Sequence, residues 1–196
     1  MTTIYLVRHG QYSSPTPVIP FRLPGFHLSE EGKVQAQNLA NSLKNAEITA
    51  LFTSHMERTQ ETAAILGATI GLEPYIDERL LEVRSPLEGM TKAEIEVIHV
   101  WDWSIYDSAW YQERHGETLG EICVRTKAIC EEKRREYDGT SILMVTHGDV
   151  VMIGAALYMG LPITSDGLKT LPYVGMAGGY RIEFGELNEA NVYPLD

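Results

Sequence analysis

The sequence predicts an α/β fold with a largely parallel sheet, and two observations carry that prediction. β-branched and apolar runs alternate with segments of helical period along the chain. Three of the runs stop at the short turns Arg8-His9-Gly10, Thr53-Ser54 and His147-Gly148. In such folds ligands bind outside the carboxyl ends of the strands, so the three turns point to one shared region.

Thr3-Ile-Tyr-Leu-Val7 reads as a buried strand ending in a tight turn. Pro15, Pro17, Pro20 and Pro24 make the stretch from Gln11 to Phe26 a loop. Ser29 caps a helix running to about Asn45, with Val34, Ala36, Leu39, Ala40 and Leu43 at helical spacing. Ile48–Thr53 is the second strand, Glu57 to about Leu66 a helix, and Leu72–Ile76 a short third strand. Thr91 and Glu94 form a capping box that opens a helix towards Trp101. Glu117 to about Tyr137 is a long amphipathic helix, Ser141–Val145 a buried strand and Asp149–Met159 a helix. Gly179–Phe184 and Ala190–Pro194 read as a terminal hairpin.

The 196 residues suit one compact domain, 1–196, with a cap insertion at about 84–116. Apolar residues make up 44% and charged residues 22%, which argues against disorder. A net charge of −11 argues against nucleic acid or an anionic membrane as partner, but leaves room for a small phosphorylated metabolite held by clustered arginines. Cys123 and Cys130 share one helix, roughly 10 Å apart, too far for a disulfide within it, and read as buried thiols. Sparse cysteines and no signal-peptide pattern suggest a cytoplasmic protein, and the apolar stretch Val150–Pro162 is too short to span a bilayer.

Val-Arg-His-Gly at 7–10 is echoed by Val-Thr-His-Gly at 145–148. A histidine just past a buried strand is rigidly based yet open to the crevice, and the following glycine permits a sharp turn and a close ligand approach. Turn amides and the start of the next helix, at Gly148, add hydrogen bonds for an anion. Arg58, one turn into the helix after the second strand, could join Arg8 in a guanidinium clamp on phosphate oxygens. Read alone, Arg58 is equally a solvated helix residue with Glu57 and Glu61 as partners.

Leu6-Val-Arg-His-Gly10 resembles the signature of the histidine phosphatase superfamily, the phosphoglycerate mutase-like proteins. Leu28-Ser-Glu-Glu-Gly32, Thr53 to Ala63, Arg79-Leu-Leu-Glu82, Gly116-Glu-Thr118 with Arg125, and Val145-Thr-His-Gly148 extend the likeness in order along nearly the whole chain. The resemblance implies a three-layer sandwich, its mostly parallel central sheet flanked by helices. It makes His9 the phosphoryl acceptor, with Arg8, Arg58 and His147 on the phosphoryl oxygens and Glu82 as proton donor. No metal or other cofactor is implied. Members often dimerise, so the resemblance allows a homodimer here.

Two departures stand out. Where the family usually has Gly-x-Trp-Glu-Gly after the acid, this chain has Ser85-Pro-Leu-Glu-Gly89. Where many members have an asparagine that touches phosphate, it has Gln11-Tyr-Ser-Ser-Pro15, and Arg22 or Ser13 could substitute. His27, His55, His99 and His115 lack metal-ligand spacing and read as surface or loop residues. Trp101, Trp103, Tyr106, Trp110 and Tyr111, with Asp102 and Asp107, form either a cap packed over the core or a substrate-selecting lid. The acidic cap favours monophosphates over bisphosphates. A phosphatase for small phosphomonoesters is therefore expected; the alternatives are a cofactor-dependent mutase, a binding module without turnover and a metal-dependent hydrolase.

Overall fold

The computed structural model describes residues 1–98, 102–185 and 189–195. Its six-stranded sheet has the order β3-β2-β4-β1-β5-β6, built from β1 (Thr2–Arg8), β2 (Ile48–Thr53), β3 (Tyr75–Ile76), β4 (Ser141–Thr146), β5 (Gly179–Phe184) and β6 (Ala190–Leu195). β3, β2, β4 and β1 run parallel, and β5 and β6 add antiparallel strands at the β1 side. Helices cover both faces. Leu39, Ala40 and Leu43 of α1 (Glu30–Leu43) pack with Ala63 and Leu66 of α2 (Glu57–Ile70) against Tyr5, Val7, Leu51 and Val145. Ile4, Leu6, Ile142 and Met144 point the other way into a larger core with Ile122 and Ile129 of α5 (Leu119–Glu136) and Val151–Ala156 of α6 (Gly148–Tyr158). The near-continuous burial along β1 and β4 is what a sheet covered on two faces requires.

The expected helix starts are present. Ser29 accepts from the Gly32 N–H at 3.0 Å, and both Thr91 and Thr118 close full capping boxes, with Glu94 and Glu121. The long helix consequently begins at Leu119, and Glu117 is left in the loop before it. α2 runs past the expected Leu66 to Ile70 and stops at Gly71, whose φ of 76° supplies a left-handed cap. The third strand shrinks to Tyr75–Ile76 because Leu72 N–H closes that cap on Gly67 O and Pro74 has no N–H to give. Val34 faces solvent and Cys123 is only half-buried, whereas Cys130 is buried, and both thiols are free. His99, Trp101 and the hairpin turn at 186–188 lie outside the described residues. No described helix is long and apolar enough to cross a membrane.

Parallel registers bring the three strand ends level, pairing Arg8 with Thr146 and Thr53 with Val145. His9, Ser54 and His147 therefore emerge on one edge of the sheet. Above that edge, residues 84–116 carry α3 (Lys92–Val97), a 3-10 turn (Trp103–Asp107) and α4 (Ala109–Glu113). Ile95, Ile105, Tyr106 and Tyr111 are buried in the larger core, so this segment packs down firmly. A short α7 (Ser165–Leu168) braces it, Ser165 donating its hydroxyl to Asp107.

Gly10 serves packing where the sequence suggested ligand approach. A Cβ there would stand 2.5 Å from Gly32 O, and a Cβ on Gly32 would stand 1.9 Å from Gln11 O. The start of α1 is thus pressed against the turn that carries His9. Gly32→Ala is expected to lower unfolding stability by about 1–3 kcal/mol in urea titration, since backbone must move. A wild-type midpoint would contradict this close packing.

Candidate active site

His9 is 2% exposed, held by its N–H to Thr146 O at 3.0 Å and by its carbonyl, which accepts from Ala177 N–H. Its Nδ1 lies 2.7 Å from Gly10 O, an acceptor only, so Nδ1 carries the ring proton. Nε2 is then the lone-pair nitrogen, and it accepts from Arg58 Nε at 3.2 Å. Burial first, then the neighbouring His147 and Arg58, holds the His9 pKa well below the usual 6.5. The ring is neutral at pH 7, with its lone pair on one defined nitrogen.

His147 is fully buried at the start of α6, with Ser54 Oγ 3.0 Å from its Nε2. Ser54 Oγ also accepts from Met56 N–H at 3.2 Å, and Arg58 Nη2 lies 3.2 Å from His147 Nδ1. Nδ1 is 3.2 Å from Glu82 Oε2 and 5.3 Å separates the two histidine rings. Burial and the surrounding arginines also depress the His147 pKa well below 6.5. Gly148 is bare because Tyr173 Oη would meet a Cβ at 2.2 Å.

Arg58 is 1% exposed, which removes the solvated-helix reading. It donates to Phe21 O at 2.6 Å, lies 3.7 Å from Glu82 Oε2 and packs over the Tyr12 ring at 5.7 Å. Arg8 donates to Val174 O at 2.9 Å and lies over Tyr173 at 5.3 Å. Arg8 Nε and Arg58 Nη1 are buried with no hydrogen-bond acceptor among the described residues. Each such group costs about 1–3 kcal/mol. A tetrahedral dianion between the guanidiniums would satisfy both at once.

Glu82 Oε1 accepts from the Val83 N–H at 2.9 Å, and its carbonyl accepts from Arg22 Nε at 2.6 Å. Arg22 also donates to Glu117 at 3.2 Å, and Glu117 in turn binds Arg125 at 2.6 Å and the Arg84 N–H at 3.0 Å. Arg22 thereby grips the acid-bearing loop from behind, and its guanidinium is directed to a 7% exposed carboxylate. Ser13 is exposed beside the Tyr12–Leu28 bridge. Neither Arg22 nor Ser13 lines the cleft, whereas Arg8, His9, Arg58, Glu82 and Gly148 do. His147, fully buried, meets Glu82 and Arg58 just behind that lining.

The cleft encloses about 540 Å³. Trp103, Tyr106 and Tyr111 line it while also belonging to the core, so the aromatic segment is both cap and cleft wall. His27, His55 and His115 are exposed, as expected. Sequence reasoning missed Tyr12, Phe21, Asp149 and Tyr173, all lining residues. Only Asp149 carried a signal, standing directly after His147-Gly148 and thus at the same strand end.

The chain is similar to known proteins over most of its length. The chain is 29% identical over 169 residues to a probable phosphoglycerate mutase GpmB of Photorhabdus laumondii, covering 83% of this chain and 77% of that one. It is 29% identical over 155 residues to phosphoserine phosphatase 1 of Hydrogenobacter thermophilus, covering 75% and 71%. Among solved structures, YhfR of Bacillus stearothermophilus superposes with a TM-score of 0.86 at 27% identity, over 99% of this chain and 96% of that one. The sequence profile of the histidine phosphatase superfamily (branch 1) matches residues 4–177. The chain belongs to the histidine phosphatase superfamily.

Proposed function

We propose that the protein is a metal-independent phosphatase that hydrolyses small phosphomonoesters through a phosphohistidine on His9. The observation that carries this reading is the pair of buried, acceptorless guanidinium N–H groups beside a neutral histidine of fixed tautomer. His9 Nε2 attacks phosphorus while the ester P–O bond breaks, and the departing oxygen takes a proton from Glu82. Glu82 then removes a proton from water, whose oxygen attacks phosphorus. The P–N bond breaks and its electron pair returns to Nε2. Arg8, Arg58 and His147 balance the charge that spreads over the equatorial oxygens.

His9, Glu82 and His147 also bring ligand atoms within 4.8 Å of one another, a spacing a cation could use. Arg58 places positive charge in that same space, 3.2 Å from His9 and 3.7 Å from Glu82, which favours an anion. A mutase needs further cations for a second phosphoryl group. Among the described residues the lining offers only Arg8 and Arg58 as cations, and both stand beside His9, which supports hydrolysis. The free thiols suit a reducing compartment such as the cytoplasm.

Purified protein is expected to hydrolyse p-nitrophenyl phosphate in excess EDTA, and His9→Ala to lower kcat by about a thousandfold or more. Loss of wild-type activity in chelator, or its survival in His9→Ala, would contradict the phosphohistidine route. The depressed histidines give a second expectation. Below pH 6.5 the unfolded chain takes up protons that folded His9 and His147 refuse, so stability falls as pH falls. Denaturant titrations should show a loss of about 1–3 kcal/mol between roughly pH 6.5 and 5. The slope should flatten in the double variant His9→Gln/His147→Gln; an unchanged slope there would refute the assignment.

A further inference from the structure

The cleft is uneven in charge. Arg8, Arg58 and Glu82 stand at the His9 end, and the other charged lining residues are Asp149 and Asp102, the latter paired with Lys169 at 3.2 Å. Asp149, in the first turn of α6, accepts from Tyr173 Oη–H at 2.6 Å on Oδ1 and from Tyr106 Oη–H on Oδ2. As a carboxylate, Asp149 keeps spare lone pairs beyond these two bonds. Tyr106 comes from the cap and Tyr173 from the loop before β5, so Asp149 ties two walls of the cleft together.

Those walls are flat. Trp103 stacks on Tyr106 with ring centroids 5.8 Å apart and lies 6.0 Å from Tyr173. Burial and the nearby Glu82 raise the Asp149 pKa, and the two phenols counter that rise. Aromatic faces backed by carboxylates attract a cation and accept an apolar ring, but repel an anion.

We propose that the cleft selects phosphomonoesters whose leaving group is flat and carries positive charge or none, with Asp149 as the residue that rejects a second anionic group. This rests on the phosphatase reading. The test uses three aryl phosphates bearing aminomethyl, methyl or carboxymethyl at the para position, compared by kcat/KM near neutral pH. The aminomethyl ester is expected to match or exceed the methyl ester, and the carboxymethyl ester to be on the order of tenfold poorer. Asp149→Asn should bring the aminomethyl-to-carboxymethyl ratio towards one. Equal turnover of the charged esters by wild type, or a ratio unchanged in Asp149→Asn, would overturn the proposal while leaving the phosphatase reading intact. If none of the three is hydrolysed, the phosphatase reading fails; their dissociation constants from calorimetry should still rank in the same order, and any other order overturns the selectivity.

Discussion

The burial of Arg58 is the constraint around which the rest of this structure is arranged. A guanidinium with 1% exposure cannot shed its proton, so its charge must be met from several directions. The chain meets it with the Phe21 carbonyl, the Glu82 carboxylate, the Tyr12 ring face and the lone pair of His9. These partners come from separate stretches of sequence that only the finished fold brings together. Burial first, with that charge adding to it, keeps His9 and His147 neutral, which links the packing of one helix residue to the protonation of both rings. Phe21 shows how tightly the loop is drawn in, since its φ of 39° is unusual for a bulky residue.

A second network fixes Glu82, the proposed proton donor. Glu117, just ahead of α5, gathers Arg22, Arg125 and the Arg84 N–H. Arg125 also donates to Arg79 O at 2.7 Å, and Arg22 to the Glu82 carbonyl, so the loop on both sides of Glu82 is anchored to α5. Thr146, last residue of β4, donates to Leu80 O and ties the same loop to the sheet. A loop otherwise short of regular structure thereby holds one carboxylate 3.2 Å from His147. Such precision is what proton transfer at a defined atom demands.

Much of this was legible because it is local. The capping residues Ser29, Thr91 and Thr118 and the strand ends at Arg8, Thr53 and Thr146 follow from spacing and residue type. Arg8, His9, Arg58, Glu82 and His147 were found from ordered motifs, and the sheet brings them together as parallel registers dictate. What stayed hidden depends on distant contacts. Arg22 reads as a loop arginine until Glu117 is seen beside it, and Val34 looks apolar-faced until α1 is docked. Tyr12 and Tyr173 lie far apart in sequence and gain meaning only as rings packed under Arg58 and Arg8. Gly10 and Gly148 were read for ligand approach, yet each makes room for another part of the chain.

The central claim is chemical and atom-specific: the phosphoryl group goes to Nε2 of His9, because Nδ1 is committed to the Gly10 carbonyl. The most direct measurement is to react the enzyme with a phosphomonoester, quench in base, and locate the phosphoryl group by peptide mapping and ³¹P NMR. The account predicts a base-stable, acid-labile phosphohistidine at His9 substituted on Nε2. Label on His147 or on Nδ1, or continued turnover with no label on His9, would contradict it.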